Sequence, residues 1–151
     1  MKDKEFTQAL SKQGSEELLL WKDYSVYLYD EAIARDYVGE FVNDLAELDL
    51  AKANYIFQDI IEKLQEGKGL PAEMLKGKKP KIKKVEQGDK LYELREYSTQ
   101  LRKQIRIYFL IDSNNKKVVF LNACFKSDNK KQDRDIKVAI SRQREYLRKQ
   151  K

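Results

Sequence analysis

The sequence predicts a single α+β domain of order β-α-α-β-β-β-α, with a helical extension ahead of it. Three observations predict it. Short segments of period two cluster between residues 91 and 125. Two apolar stripes of helical period lie side by side between residues 33 and 64. A third amphipathic stretch, strongly basic, closes the chain after residue 128. A chain of 151 residues suits one domain and can bury a core without metal or disulfide staples. Residues 1–22 read as the extension and 23–151 as the domain. The expected architecture is a small antiparallel sheet packed by a helical hairpin and a C-terminal helix.

The elements follow in order. Phe6 and Leu10 can share a helical face, and Ser15 followed by Glu16 and Glu17 reads as an N-cap with acids in the first turn. A short helix is expected over 16–22, with Leu19, Leu20 and Trp21 against the core or a second subunit. Tyr24–Tyr29 is aromatic and branched, the composition of a strand, and Asp30 and Glu31 end it. Ile33, Tyr37, Phe41, Leu45 and Leu48 recur at steps of four and three, with Val38 and Val42 widening the stripe. Ala53, Ile56, Phe57, Ile60, Ile61 and Leu64 form the second helical stripe, with Asp49 placed as its N-cap and Gly67 as its C-terminal left-handed residue. The short link makes the two helices an antiparallel hairpin.

Residues 67–90 change character. The run Lys76-Gly77-Lys78-Lys79-Pro80-Lys81-Ile82-Lys83-Lys84 cannot continue a helix through Pro80. It reads either as a solvated loop or as an arm contacting nucleic acid, with Ile82 and Val85 able to anchor a short edge segment. In the strand Leu91–Tyr97, Tyr92 and Leu94 share one face, and Glu93, Arg95 and Tyr97 the other. In Gln104–Ile111, Ile105, Ile107, Phe109 and Ile111 face the core, and Gln104, Arg106, Tyr108 and Leu110 face away. Arg106 is therefore expected at the surface, where its removal would cost little stability. Asp112–Asn115 is turn chemistry. Lys117–Phe125 is apolar on both faces, as a central strand should be. The last helix starts after Ser127 or Asp128, with Ile136, Ala139, Ile140, Gln143 and Leu147 as its stripe.

The net charge of +6 is unevenly spread. Residues 1–66 hold 7 Lys/Arg against 15 Asp/Glu, a net −8, and residues 67–151 hold 24 against 10, a net +14. A half this basic suits a polyanionic partner or a solvated lysine-rich surface. Histidine is absent, which excludes histidine acid–base catalysis and histidine metal ligation. With one cysteine besides, an ordinary zinc site is excluded too. Cys124 lies in an apolar run and reads as a small buried residue rather than a nucleophile; unpaired, it fits a reducing, cytoplasmic setting. The early run Leu18–Trp21 is far shorter than the roughly 18 residues of a membrane span. No phosphate-binding glycine loop appears, Gly67-x-Gly69 being too little for one.

The local pattern around the meander is more specific. It reads Leu91-Tyr92-Glu93-Leu94-Arg95, then Arg106-Ile107-Tyr108-Phe109, then Phe125-Lys126, then Lys130-Lys131, then Asp135-Ile136 with Ala139. In this order and spacing the chain resembles the RelE/ParE superfamily of bacterial toxins, and most closely its phage-derived, HigB-like branch. The likeness spans about residues 24–147 and implies a RelE-like fold. It implies a toxin of a type II toxin–antitoxin system, an endoribonuclease cleaving messenger RNA on the ribosome or off it, needing no metal or other cofactor. A ribose 2′-hydroxyl attacks the adjacent phosphorus and the 5′ oxygen leaves. The partners implied are a cognate antitoxin and the messenger RNA. Two other readings stay open: a non-enzymatic inhibitor of DNA gyrase, as among ParE-type relatives, and an inactive nucleic-acid-binding relative.

That chemistry needs a base, an acid and fixed cations. Arg106 is the leading candidate for the phosphate, since arginine is always charged and binds phosphate in a fork. Arg95 shares its face and is either a second phosphate ligand or an ion pair with Glu93 or Glu96. Lys126 and Tyr108 complete the candidate catalytic set, Lys126 as a phosphate ligand, acid or base. Lys83, Lys84, Lys130, Lys131, Arg134 and Tyr146 are candidate nucleic-acid contacts. Tyr108 and Tyr146 can stack on a base or donate a proton, or simply pack. The chain departs from its relatives in lacking histidine and in having Leu91 and Glu93 where ribosome-dependent members carry lysines, so the base and acid are unassigned.

Overall fold

The computed structural model describes residues 18–28, 36–88, 90–126 and 128–149. Residues 1–17, with the expected helix start at Ser15–Glu17, lie outside them, as do Tyr29, Ile33 and Ser127. The described elements are β1 (Leu19–Leu20), β2 (Ser25–Tyr27), α1 (Tyr37–Leu48), α2 (Leu50–Asn54), a π-helical segment (Tyr55–Ile61), α3 (Glu62–Gln65), β3 (Leu70–Pro71), a 3₁₀ turn (Ala72–Leu75), β4 (Ile82–Lys84), β5 (Leu91–Ser98), β6 (Lys103–Asp112), β7 (Lys117–Phe125) and α4 (Asn129–Lys149). No helix among the described residues is long and apolar enough to cross a membrane.

The fold class is α+β, built on a five-stranded sheet in the order β2-β7-β6-β5-β4. The β4–β5, β5–β6 and β6–β7 pairs are antiparallel as expected. The sheet as a whole is mixed, because β2 runs parallel to β7 with Val26 opposite Val118. No turn joins β2 to β7, so no local sequence signal sets their relative direction. The crossover through the helical hairpin sets it instead. As expected, β7 is a central strand, apolar on both faces.

Each face of the sheet carries its own core. On one face, Val38, Leu45, Ile56, Ile60 and Leu64 of the hairpin pack on Leu94, Ile105, Ile107, Phe109 and Phe120. On the other, Ile136, Ala139 and Tyr146 of α4 pack on Leu91, Tyr108, Leu110, Val119 and Leu121. The period-two reading of β5 and β6 therefore holds residue by residue. Both faces are covered, however, and a side chain facing away from the hairpin is not thereby at the surface.

The helical signals hold at their ends. The Asp36 carboxylate accepts from the Gly39 N–H at 2.7 Å and the Asp49 carboxylate from the Lys52 N–H at 3.1 Å. Gly67 takes φ +78°, and the Lys68 N–H donates back to the Lys63 carbonyl at 3.0 Å. This is the six-to-one bond of a Schellman ending. The second stripe is not one uniform helix, since seven of its residues are π-helical. In α4 the buried stripe ends on Tyr146, while Leu147 is partly exposed.

The expected helix over 16–22 is not found in its described part. Leu19 and Leu20 form β1, paired with Pro71 and Leu70 of β3. A turn follows, with Trp21 and Asp23 both in the left-handed region. Gly69 has to be glycine: a Cβ there would stand 2.7 Å from the Leu20 carbonyl oxygen. Trp21 does reach the core, edge-on to Tyr92 and Phe109 at 5.4 and 5.5 Å.

Candidate functional site

The site is built from an unusual step in the β5–β6 ladder. The register sets Arg95 directly opposite Arg106. Like charges directly opposite are unfavourable in a sheet. The partial remedy comes from the preceding outward position of β5. Glu93 places one carboxylate oxygen 3.8 Å from Nε of Arg95 and the other 3.7 Å from Nε of Arg106.

Beyond this pair the sheet opens. β4 pairs with β5 only from Tyr92 to Leu94. The chain then swings away, tied by one bond from the Arg95 N–H to the Lys81 carbonyl at 2.7 Å. A groove of about 680 Å³ results. Its lining includes eight cations, Lys52, Lys78, Lys79, Lys81, Lys83, Arg95, Arg106 and Lys126, and a single carboxylate, Glu96. Glu96 is already matched, taking Lys52 at 3.0 Å and Lys81 at 3.1 Å. The hydroxyl of Tyr55, at the start of the π-helical segment, accepts from Lys81 at 3.1 Å. Lys78, Lys79, Lys83 and Lys126 have no acidic partner among the described residues. The groove is thus a surface of unbalanced positive charge with fixed arginines at its floor.

The floor is more buried than the sequence implied. Arg106 is 3 % exposed, so its expected place at the surface is corrected. The cause is its place in the sheet: Arg106 lies on an inner strand between Arg95 of β5 and Cys124 of β7, on the face against which α4 packs. Arg106 donates to the Gln104 side-chain oxygen at 2.7 Å and to the Ile105 carbonyl at 3.2 Å. Burial lowers its pKa from the ordinary value; Glu93 opposes that shift and Arg95 adds to it. Tyr108 is wholly buried, and burial pushes its phenol well above the ordinary value, Glu93 adding to the effect. It cannot stack on a base.

The remaining candidates divide. Arg95, Arg106, Lys126 and Lys83 come together on the groove. Lys84 shares with Lys83 a smaller cleft of about 240 Å³, with Glu93, Gln132 and Ile136 in its wall. Lys130 and Arg134 are exposed on the first turns of α4, and Lys131 is paired with Asp135 at 3.0 Å. Tyr146 is corrected: it is fully buried and donates to Asp112 at 3.2 Å, so it serves the core. Cys124 donates to Asp135 at 3.1 Å; burial, with that carboxylate, leaves its thiol pushed up to about 12, which removes it as a nucleophile at neutral pH.

Sequence reasoning missed Lys52, and it named Glu93 and Glu96 only as ion-pair partners for Arg95. Lys52 and Glu96 are 44 positions apart, and no local pattern joins them. Glu93 pairs with Arg95 at 3.8 Å, the partnership that period two had offered by placing both on one face. The bulge in β7 was also unread. Tyr108 pairs with Asn122 but Phe109 pairs with Phe120, leaving Leu121 as the extra residue beside Tyr108.

Residues 43–144 match the family model described as phage derived protein Gp49-like (DUF891). No curated protein and no solved structure matches the chain.

Proposed function

We propose that this chain, which belongs to the Gp49-like family of phage-derived proteins, is the toxin of a type II toxin–antitoxin pair and cleaves messenger RNA. The family is one of the RelE/ParE-like toxin families. The finer placement in the HigB-like branch belongs to the same proposal, as do a cognate antitoxin that covers the groove and action on RNA with or without the ribosome.

One observation carries the reading: two arginines held directly opposite each other at the floor of a groove ringed by lysines. That arrangement is unfavourable by itself and becomes favourable when a phosphate enters. Charge accumulates on the phosphorane as the 2′ oxygen attacks, so fixed guanidinium groups favour the transition state over the ground state. The lysines of the 76–84 loop and Lys126 hold the flanking backbone and make binding salt-dependent.

Inducing the protein without its partner tests the reading. Fragmented messenger RNA and arrested translation support it. DNA damage signalling with intact RNA contradicts it and points to gyrase; binding of RNA with neither effect points to an inactive relative.

A further inference from the structure

Three buried side-chain atoms find no hydrogen-bond partner among the described residues: Oε2 of Glu93, Nε of Arg106 and the hydroxyl of Tyr108. They are not scattered. Glu93 is opposite Tyr108 in the register, Arg106 is opposite Arg95, and all lie on one face of the β5–β6 ladder. A buried polar group without a partner costs free energy and calls for an explanation. A phenylalanine at 108 would avoid the cost there, and Glu93, which offsets the charge of the two arginines, still stands beyond hydrogen-bond distance of both.

Glu93 is 6 % exposed, yet it reaches solvent through the small cleft between β4 and α4, with Lys83 and Lys84 beside it. Its two oxygens stand 3.7 and 3.8 Å from the guanidinium nitrogens, longer than hydrogen bonds. Both the carboxylate and the arginines therefore keep capacity for another group. Among the described residues it is the one carboxylate that pairs with either arginine. In RNA the 2′-hydroxyl and the phosphorus it attacks are carried on neighbouring carbons of one ribose. A phosphate held on Arg95 and Arg106 would bring its 2′-hydroxyl toward the acceptor that adjoins them; Glu96 in the groove is already held by Lys52 and Lys81, and Glu93, at the edge of the neighbouring cleft, stands against both arginines.

We propose that Glu93 is the general base of the cleavage, a catalytic residue that accepts the proton of the ribose 2′-hydroxyl; this rests on the endoribonuclease reading above. As the proton passes to the carboxylate, the 2′ oxygen bonds to phosphorus. The bond from phosphorus to the 5′ oxygen breaks, its electron pair stays on that oxygen, and the oxygen takes a proton from the Lys126 ammonium in the groove. The products are a 2′,3′-cyclic phosphate and a free 5′-hydroxyl. Proton exchange with water returns Glu93 and Lys126 to their charged forms. The absence of histidine leaves this work to a carboxylate and an amine.

The test compares the full chain with Glu93→Gln and Glu93→Asp on an end-labelled messenger RNA transcript, free and in a translating extract. Cleavage rate is followed against pH, and binding is measured with the same sequence made 2′-O-methyl, which cannot react. Glu93→Gln is expected to bind the methylated RNA as the parent does and to cleave about 100- to 10,000-fold more slowly. It is also expected to lose the acid-side fall in rate. Glu93→Asp should cleave slowly but keep that fall, and it carries the test if the glutamine variant does not fold. Cleavage by either variant at the parent's rate, or an unchanged pH profile in Glu93→Gln, overturns the proposal while leaving the nuclease standing. So does a loss explained wholly by weaker binding, which would make Glu93 a counter-ion for the arginines. Should the parent itself cleave neither form of the transcript, the endoribonuclease reading fails first.

Discussion

Arg95 and Arg106 face each other across the β5–β6 ladder, and Glu93 lies within 3.8 Å of both. Two strands that could have carried any cross-strand pair here carry two fixed cations and a buried acid. Packing does not require this, and the phosphate recognition proposed above would use it.

Arg106→Ala should abolish cleavage and also destabilise the fold. The second effect follows from burial: the substitution takes one of two cations from buried Glu93, removes the donor to Gln104 and leaves a cavity in place of a buried side chain. A stability loss of about 1–3 kcal/mol is expected, readable in urea unfolding. Arg95, partly exposed, separates the roles better. Arg95→Ala should lower the cleavage rate about 100-fold with a stability change within about 0.5 kcal/mol.

The rim lysines should behave differently. Lys126→Ala and Lys83→Ala remove charge from the groove without touching the core. Each should weaken RNA binding at low salt and reduce the slope of log affinity against log salt by about one. Lys126→Ala should in addition slow cleavage at saturating RNA, where Lys83→Ala should not.

Tyr108→Phe and Tyr146→Phe should part company. The Tyr108 hydroxyl is buried and unpartnered, so its removal should leave stability unchanged or raise it slightly in thermal unfolding. The Tyr146 hydroxyl donates to Asp112, and its removal should cost about 1 kcal/mol. Neither should alter RNA binding.

Much of this site was legible before the fold was known. Period two gave the faces of β5 and β6 correctly, and the arginines, Lys83 and Lys126 do meet. What the pattern could not convey was depth. A strand's alternation says which side a residue takes, not whether another layer covers that side. Arg106 lies deeper than its alternation suggested because the face turned from the hairpin is covered too; Tyr108 on that face, and Tyr146 on the helix that covers it, take the packing role that the sequence had left open for both. The parallel β2 and the link from Lys52 to Glu96 were hidden for a different reason. Both join segments distant in the chain, where no turn or local spacing leaves a trace.

Stability should fall on the acid side in a traceable way. Asp49 takes a 2.6 Å hydrogen bond from the buried Ser98 hydroxyl and one from the Lys52 N–H, and these hold its carboxyl below the ordinary 3.8. A depressed native pKa contributes stability above the unfolded value and loses it as pH falls through the native one. Ser98→Ala should therefore lower stability by about 1.5 kcal/mol at neutral pH, and its difference from the parent should shrink below about pH 4. Urea unfolding between pH 7 and pH 2.5 reads this directly.

The central claim is that the cationic groove cleaves messenger RNA, and mapping the ends it makes is the most direct test. The purified full chain is mixed with an end-labelled transcript, free and under translation, and the new termini are identified. The account predicts fragments ending in 2′,3′-cyclic phosphate and beginning with 5′-hydroxyl, made by the parent and lost in Arg95→Ala at equal RNA occupancy. A transcript that stays intact in both settings while the protein still arrests growth would contradict it.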